Sequence, residues 1–175
     1  MVRAFISIGS NIDPEHNVRE SILRLGSAVQ VKAISTVYRT EPVGSPGQPS
    51  FYNCVAEIET DLAPRDLKFR LLRRIEHELG RTRGSDKFAA RTIDLDLILY
   101  DDLVMAGEDL TLPDPDIQHR PFLAIPLQEL DPELVLPGSG MRISQVVSAQ
   151  PRMDMMPLEK YTERLRKEIL HERKQ

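Results

Sequence analysis

The segment Arg91-Thr92-Ile93-Asp94-Leu95-Asp96-Leu97 holds the residues best suited to chemistry. In an extended strand, residues two apart share a face and lie roughly 6–7 Å apart at Cα. Asp94 and Asp96 therefore project together, away from Ile93, Leu95 and Leu97. Two like charges side by side are unfavourable unless something positive lies between them. Mg²⁺ prefers a few carboxylates plus phosphate oxygens. Two Mg²⁺ ions about 3.5–4 Å apart could bridge this pair to a polyphosphate. A half-buried strand with a solvent-facing edge also alternates in this way. Aspartate disfavours strands, however, and here two of them interrupt the most hydrophobic strand-like run of the chain.

Arg81, Arg83 and Arg91 flank the loop that leads into this run, and Lys87 lies inside it. Arginine forks match phosphate oxygens bidentately and stay charged at any working pH. Phosphoryl transfer needs mainly positioning and charge stabilisation, which a basic loop beside a metal-binding carboxylate pair supplies. Taken alone, Arg-x-Arg after a helix also serves as a C-terminal complement to the helix dipole. Residues 65–91 carry nine Lys/Arg against four Asp/Glu, and residues 92–137 carry one Arg against eleven Asp/Glu. A basic segment running into an acidic one suits a site for both phosphates and metal ions, although two solvated faces of opposite sign would read the same. The chain has no G-x-x-x-x-G-K-[ST] loop, no G-x-G-x-x-G and no protein-kinase motif set. His16, His77, His119 and His171 lack zinc-like clustering, and Cys54 reads as a small core residue.

Three classes stay open on the residues alone: a transferase acting on a polyphosphate, a metal-dependent phosphodiesterase or nuclease using the Asp pair, and a non-catalytic ligand-binding module. The net charge is −4, from 23 Lys/Arg and 27 Asp/Glu, which argues against general nucleic-acid or membrane-surface binding. A single cysteine allows no internal disulfide, so a cytoplasmic setting is expected. The first residues turn polar too quickly for a signal peptide, and no apolar run approaches the roughly 20 residues needed to cross a bilayer.

Several elements must position these groups. Val2, Ala4, Ile6 and Ile8 alternate as a strand, broken by Gly9-Ser10-Asn11. Asp13 is the expected N-cap of a helix with Pro14 at its first position, a Val18/Ile22/Leu25 stripe and Gly26 as its stop. Val29, Val31, Ala33 and Val37 predict one second strand, followed by a Pro- and Gly-containing loop over 40–49. Cys54, Ala56 and Ile58 mark a third strand. Pro64 opens a helix striped by Leu67, Leu71, Ile75 and Leu79 and closed by Gly80. Ile93, Leu95, Leu97 and Leu99 form one face of a fourth strand. The order strand–helix–strand–strand–helix–strand predicts an α+β ferredoxin-like sandwich with an antiparallel sheet. C-terminal helical additions follow: a helix over 119–129 and a charged helix from Pro157 carrying Leu158, Leu165 and Ile169. Residues 1–150 are expected to form the main domain, with 151–175 a charged tail packed on it or extending from it.

The run Arg91 to Ile98 resembles the signature of the 6-hydroxymethyl-7,8-dihydropterin pyrophosphokinases, enzymes of folate biosynthesis. The likeness extends through Gly9-Ser10-Asn11, Tyr38 to Gly44, Gln48 to Asn53, Ile75-Glu76, Gly80 to Arg83 and Arg120-Pro121-Phe122, in order over about residues 2–140. The resemblance implies pyrophosphoryl transfer from ATP, as co-substrate, to a reduced pterin alcohol. Asp94 and Asp96 would hold two Mg²⁺, with Asp96 the better candidate to orient or deprotonate the hydroxyl, and Arg81 and Arg91 would share in catalysis. The ATP would meet Glu76, Arg81, Arg83, Arg91, Ile98, Thr111, Asp114 and Arg120. The pterin edge would meet Thr40, Val43 and Asn53, and its faces would stack on Phe51 and Phe122. Asp114 departs from the family pattern, where His is usual between two prolines. Phe88-Ala89-Ala90 replaces a frequent Trp-Gly-Pro.

Overall fold

The computed structural model describes residues 1–44, 46–86 and 88–171. A central sheet carries helices on both faces. Its strands are β1 (Val2–Ser10), β2 (Gln30–Ile34), β3 (Tyr38–Thr40), β4 (Phe51–Thr60), β5 (Asp94–Tyr100) and β6 (Met155–Pro157). They run in the order β5-β1-β4-β3-β6, with β2 also pairing β4, and every pairing is antiparallel.

The expected second strand is two. Ser35 breaks it: the Ser35 hydroxyl accepts the Val55 N–H at 2.9 Å, taking the place of a ladder carbonyl. Thr36 then turns its N–H and hydroxyl to Glu129. Val37, expected on this strand, lies fully buried between β2 and β3.

Helix α1 (Pro14–Ala28) begins at Pro14 and buries Val18, Ile22 and Leu25, but it runs two residues beyond Gly26. Asp13 precedes it in a left-handed conformation (φ 41°), and its side chain makes no capping bond. Asn17 secures this end instead, its Nδ2 donating to the Ile12 carbonyl at 2.6 Å. The helix expected from Pro64 is α2 (Pro64–Asp66), a π-helical turn (Leu67–Leu72) and α3 (Arg73–Glu78). The wider turn adds Leu72 to the buried stripe of Leu67, Leu71 and Ile75. Gly80 closes it at φ 76°, where a side chain would be strained, and the Arg81 N–H reaches back to the Glu76 carbonyl.

Two apolar clusters sandwich the sheet. One joins Ala4, Ile6, Ile8, Cys54, Ala56, Ile93, Leu95 and Leu97 to α1 and the π turn. The second lies on the opposite face, where Phe5, Val55, Ile98 and Leu99 meet a 3₁₀ turn (Pro115–Gln118), α4 (Pro121–Leu130) and α5 (Ile143–Ala149). The expectation that Leu99 shares a face with Ile93, Leu95 and Leu97 is corrected here. The β1–β5 register slips between Phe5 and Ile6, which carries Leu99 to the other face. The charged tail forms α6 (Glu159–His171), whose Tyr161, Leu165 and Ile169 enter the first cluster. Among the described residues, no helix is long and apolar enough to cross a membrane.

Candidate active site

A cleft of about 410 Å³ opens on the α4 side of the sheet, where Ser7 and Gly9 of β1, Asn53 of β4 and Asp94 and Asp96 of β5 face outward. Gly9 has a steric reason: a Cβ there would stand 2.8 Å from Asn53 Oδ1. Without that side chain, Asn53 lies across β1 and its Nδ2 donates to Thr40 Oγ1 at 2.7 Å. Asn11 ties three loops at the rim. Its Oδ1 accepts the Arg91 N–H at 2.8 Å, its Nδ2 donates to the Pro49 carbonyl, and its own N–H donates to the Arg91 carbonyl.

Antiparallel pairing sets Asp94 opposite Gly9 and Asp96 opposite Ser7. Arg91 Nη1 donates to Asp94 Oδ2 at 2.7 Å, and the same guanidinium lies 5.7 Å from the Phe51 ring centre. Arg81 approaches Asp94 more loosely, at 3.9 Å, and its Nε is buried with no partner among the described residues. Asp96 is different: no described residue hydrogen-bonds its carboxylate or forms an ion pair with it. Burial first, then neighbouring Asp94, pushes its acid up to about 6, against the milder pull of Lys68. A largely buried carboxylate with no ion-pair partner among the described residues, beside a second carboxylate, fits an external divalent ion completed by phosphate oxygens.

Glu76 lies behind the cleft and is almost fully buried. Its Oε1 accepts the Leu95 N–H at 2.9 Å, between the two aspartates in sequence. Its Oε2 takes Arg83 at 2.6 Å and Arg73 at 3.1 Å. Burial pushes this acid up to about 7. The three expected phosphate arginines are thus not gathered in one place. Arg91 lines the cleft, Arg81 sits behind Asp94, and Arg83 is held by Glu76. Lys87 lies outside the described residues.

All five residues expected at the pterin, Thr40, Val43, Phe51, Asn53 and Phe122, line the cleft, as do Asp114 and Arg120. Asp114 Oδ1 caps the 3₁₀ turn by accepting the Asp116 N–H at 2.8 Å, and burial raises its acid. Ile98 is fully buried, and its carbonyl accepts the Asp114 N–H. Thr111 is exposed, donates to the Gly107 carbonyl and does not line the cleft. Sequence reading missed Ser7, Glu41, Asp116, Lys68 and Arg73. Ser7 had a signal, since it is the polar position facing Asp96 in the strand alternation. Lys68 had none, because its place follows from the π turn. Phe88 also lines the cleft and packs beside Gly44, while its carbonyl accepts Gln48 Nε2 at 2.7 Å. The two loops therefore meet over the opening.

A cleft that gathers paired carboxylates, two arginines and three phenyl rings suits a phosphate-handling transferase for a flat organic substrate. The profile of the 7,8-dihydro-6-hydroxymethylpterin-pyrophosphokinase family matches residues 5–132. A Haemophilus influenzae 2-amino-4-hydroxy-6-hydroxymethyldihydropteridine pyrophosphokinase is 38% identical over 143 residues, covering 79% of this chain and 88% of that protein. The Bacillus subtilis enzyme of the same name is 40% identical over 130 residues, covering 73% and 77%. The chain belongs to this family of pyrophosphokinases. A Plasmodium falciparum HPPK-DHPS crystal structure shares the fold, with a TM-score of 0.67 at 11% identity over 95% of this chain and 46% of that one. The chain thus spans under half the length of that solved protein.

Proposed function

We propose that this chain transfers a pyrophosphoryl group from ATP to 6-hydroxymethyl-7,8-dihydropterin in folate biosynthesis. The pterin hydroxymethyl oxygen attacks the β-phosphorus, the bond from that phosphorus to the α-phosphate oxygen breaks, and AMP leaves as the hydroxyl proton is released. The observation that carries this reading is the side-by-side placement of Asp94 and Asp96 at a cleft that also presents Phe51, Phe122 and Asn53.

Asp94 and Asp96 would hold two Mg²⁺, which when bound would neutralise phosphate charge and align the triphosphate. Asp96, with no hydrogen-bond or ion-pair partner among the described residues, is the better placed to orient the attacking hydroxyl. Arg91 would keep Asp94 in place and bring its positive charge to the phosphate oxygens. Arg81 and Arg120 would add charge from either side, and Arg83 could join only by leaving Glu76. Phe51 and Phe122 would take the two faces of the pterin, and Asn53 and the Thr40–Val43 backbone its polar edge. Asp114 would oppose ATP unless a cation lies between them, and Thr111 would need a loop shift to reach it.

Three structural expectations complete the reading. The sheet order β5-β1-β4-β2 around α1 and the α2–α3 helix supports a ferredoxin-like core. Residues 1–150 serve as the pyrophosphokinase domain, and 151–175 as a tail on its sheet edge. A single buried cysteine and a net acidic surface suit a cytoplasmic enzyme of small molecules, without nucleic-acid or membrane partners.

Incubation with ATP, Mg²⁺ and the pterin alcohol should yield AMP and the pterin diphosphate, only with Mg²⁺ present. Asp94→Ala should lower the rate by orders of magnitude with the fold intact, since each ~1.4 kcal/mol of lost transition-state stabilisation is tenfold. ADP as the product, or near-normal turnover in the variant, refutes the mechanism.

A further inference from the structure

The segment from Met155 onward lies outside the residues matched by the family profile, yet it is wired to both walls of the cleft. On one side, β6 pairs with β3, setting Met155 opposite Thr40, Met156 opposite Arg39 and Pro157 opposite Tyr38. Without β6, the three-residue β3 would be an edge strand held only through β4. Just before β3, the Leu158 N–H donates to the Val37 carbonyl at 2.8 Å, and the Val37 N–H donates to Thr162 Oγ1 at 2.9 Å. Both backbone groups of a fully buried residue are therefore satisfied by the tail. Two residues beyond Tyr38, Thr40 accepts from Asn53 in the cleft.

On the other side, Arg166 of α6 reaches around the sheet edge. Its Nε donates to the Ile34 carbonyl at 2.9 Å and its Nη2 to Glu129 Oε1 at 3.1 Å. Glu129 sits near the C-terminal end of α4 and also accepts the Thr36 N–H and hydroxyl at 2.7 Å and the Tyr38 hydroxyl at 3.2 Å. Phe122 stands seven residues earlier on α4, about two turns away on the same face. Arg166 and Glu129 thus join the strand that leads to Thr40 to the helix that carries Phe122.

We infer that the C-terminal strand and helix form a clamp that fixes the spacing between the Thr40 wall and the Phe122 wall of the cleft, with Arg166 as its positioning residue. This rests on the pterin reading of the cleft above. The clamp acts on the pterin half of the site. Asp94, Asp96 and Arg91 lie on the far side of β1 and are held by β1 pairing and Asn11. A rigid ring gains affinity from walls already at the right separation, and binding weakens in proportion to the fraction of molecules in which they are.

Deleting 151–175 would expose a core that includes Tyr161, Leu165 and Ile169, so a point change is the better test. Arg166→Met keeps the aliphatic stem and removes both polar links; Arg166→Lys keeps the charge. Two measurements are made on each: hydrogen exchange over residues 36–44 without ligand, and calorimetric titration of a non-hydrolysable ATP analogue and then the pterin alcohol. In Arg166→Met, exchange should rise severalfold and pterin affinity should fall roughly 5-fold, as the competent fraction falls to about one fifth, with the analogue's affinity within about twofold of wild type. Arg166→Lys should recover part of both losses. Unchanged exchange, unchanged pterin affinity despite raised exchange, or parallel loss of both ligands would overturn the clamp. A wild type that binds no pterin, with exchange still raised in the variant, would instead sink the substrate reading.

Discussion

Asp96→Asn should stabilise the metal-free protein while abolishing most of its activity, and the gain should depend on pH. Asp96 is largely buried, lies beside Asp94 and has no ion-pair partner among the described residues, so its acid is pushed up to about 6 from 3.8. Below about pH 4, folded and unfolded chains both carry the proton and Asp96 is neutral to stability. Between about pH 4 and pH 6 the unfolded chain ionises first, so stability contributed by the protonated form is lost as pH rises. Above about pH 6.5 the folded protein carries the full burden of a desolvated charge. At 1.36 kcal/mol per tenfold change in proton affinity, that burden is at most about 3 kcal/mol, and local relaxation reduces it to roughly 1–3 kcal/mol. Asparagine keeps the shape and carries no charge. For a chain of 175 residues the gain corresponds to a Tm rise of about 3–10 °C near pH 8. Urea unfolding of both proteins in EDTA, from about pH 4 to pH 8, reads it directly, and comparison of the pair cancels every other titrating group. Mg²⁺ with an ATP analogue should then stabilise the wild type more than the variant and close the gap. A gain of equal size at pH 4 and pH 8, or none at pH 8, would refute the electrostatic account.

Gly9→Ala should weaken pterin binding about tenfold and leave ATP binding nearly unchanged, because the new methyl group would stand 2.8 Å from Asn53 Oδ1 and push that side chain off Thr40. Separate titrations of the two ligands decide it, and an equal loss for both would count against Asn53 as a pterin contact. Asp114→Asn should tighten ATP binding severalfold, since it removes a charge from the cleft while its Oδ1 still caps the Asp116 N–H. Weaker ATP binding in that variant would mean that the Asp114 carboxylate recruits a cation.

The paired carboxylates of the cleft were legible in the sequence because strand alternation has a period of two. Once Ile93, Leu95 and Leu97 are assigned to the core, Asp94 and Asp96 must face the other way, and burial agrees. The same local rule fails at Leu99, where a slip in pairing with β1 moves the side chain across the sheet. That slip belongs to two strands at once and leaves no mark on either. Ser35 broke a strand for a related reason, since its hydroxyl could replace a carbonyl only once β4 lay beside it.

The motif residues themselves pointed to chemistry, and the family comparison agrees on the activity. Their division of labour was decided by tertiary structure. Arg81, Arg83 and Arg91 are equivalent in a string of letters, yet only Arg91 lines the cleft, because Asn11 holds its backbone while Glu76 captures Arg83. Glu76, expected near the nucleotide, is buried and holds the Leu95 amide between the two aspartates, a contact the sequence does not show. The tail shows the widest gap between the two kinds of knowledge. Its composition predicts a charged helix, which α6 is, but its union with β2, β3 and Val37 depends on contacts more than a hundred residues apart in sequence. Periodicity and residue chemistry act within a few neighbours; partners that distant exist only once the chain has folded around them.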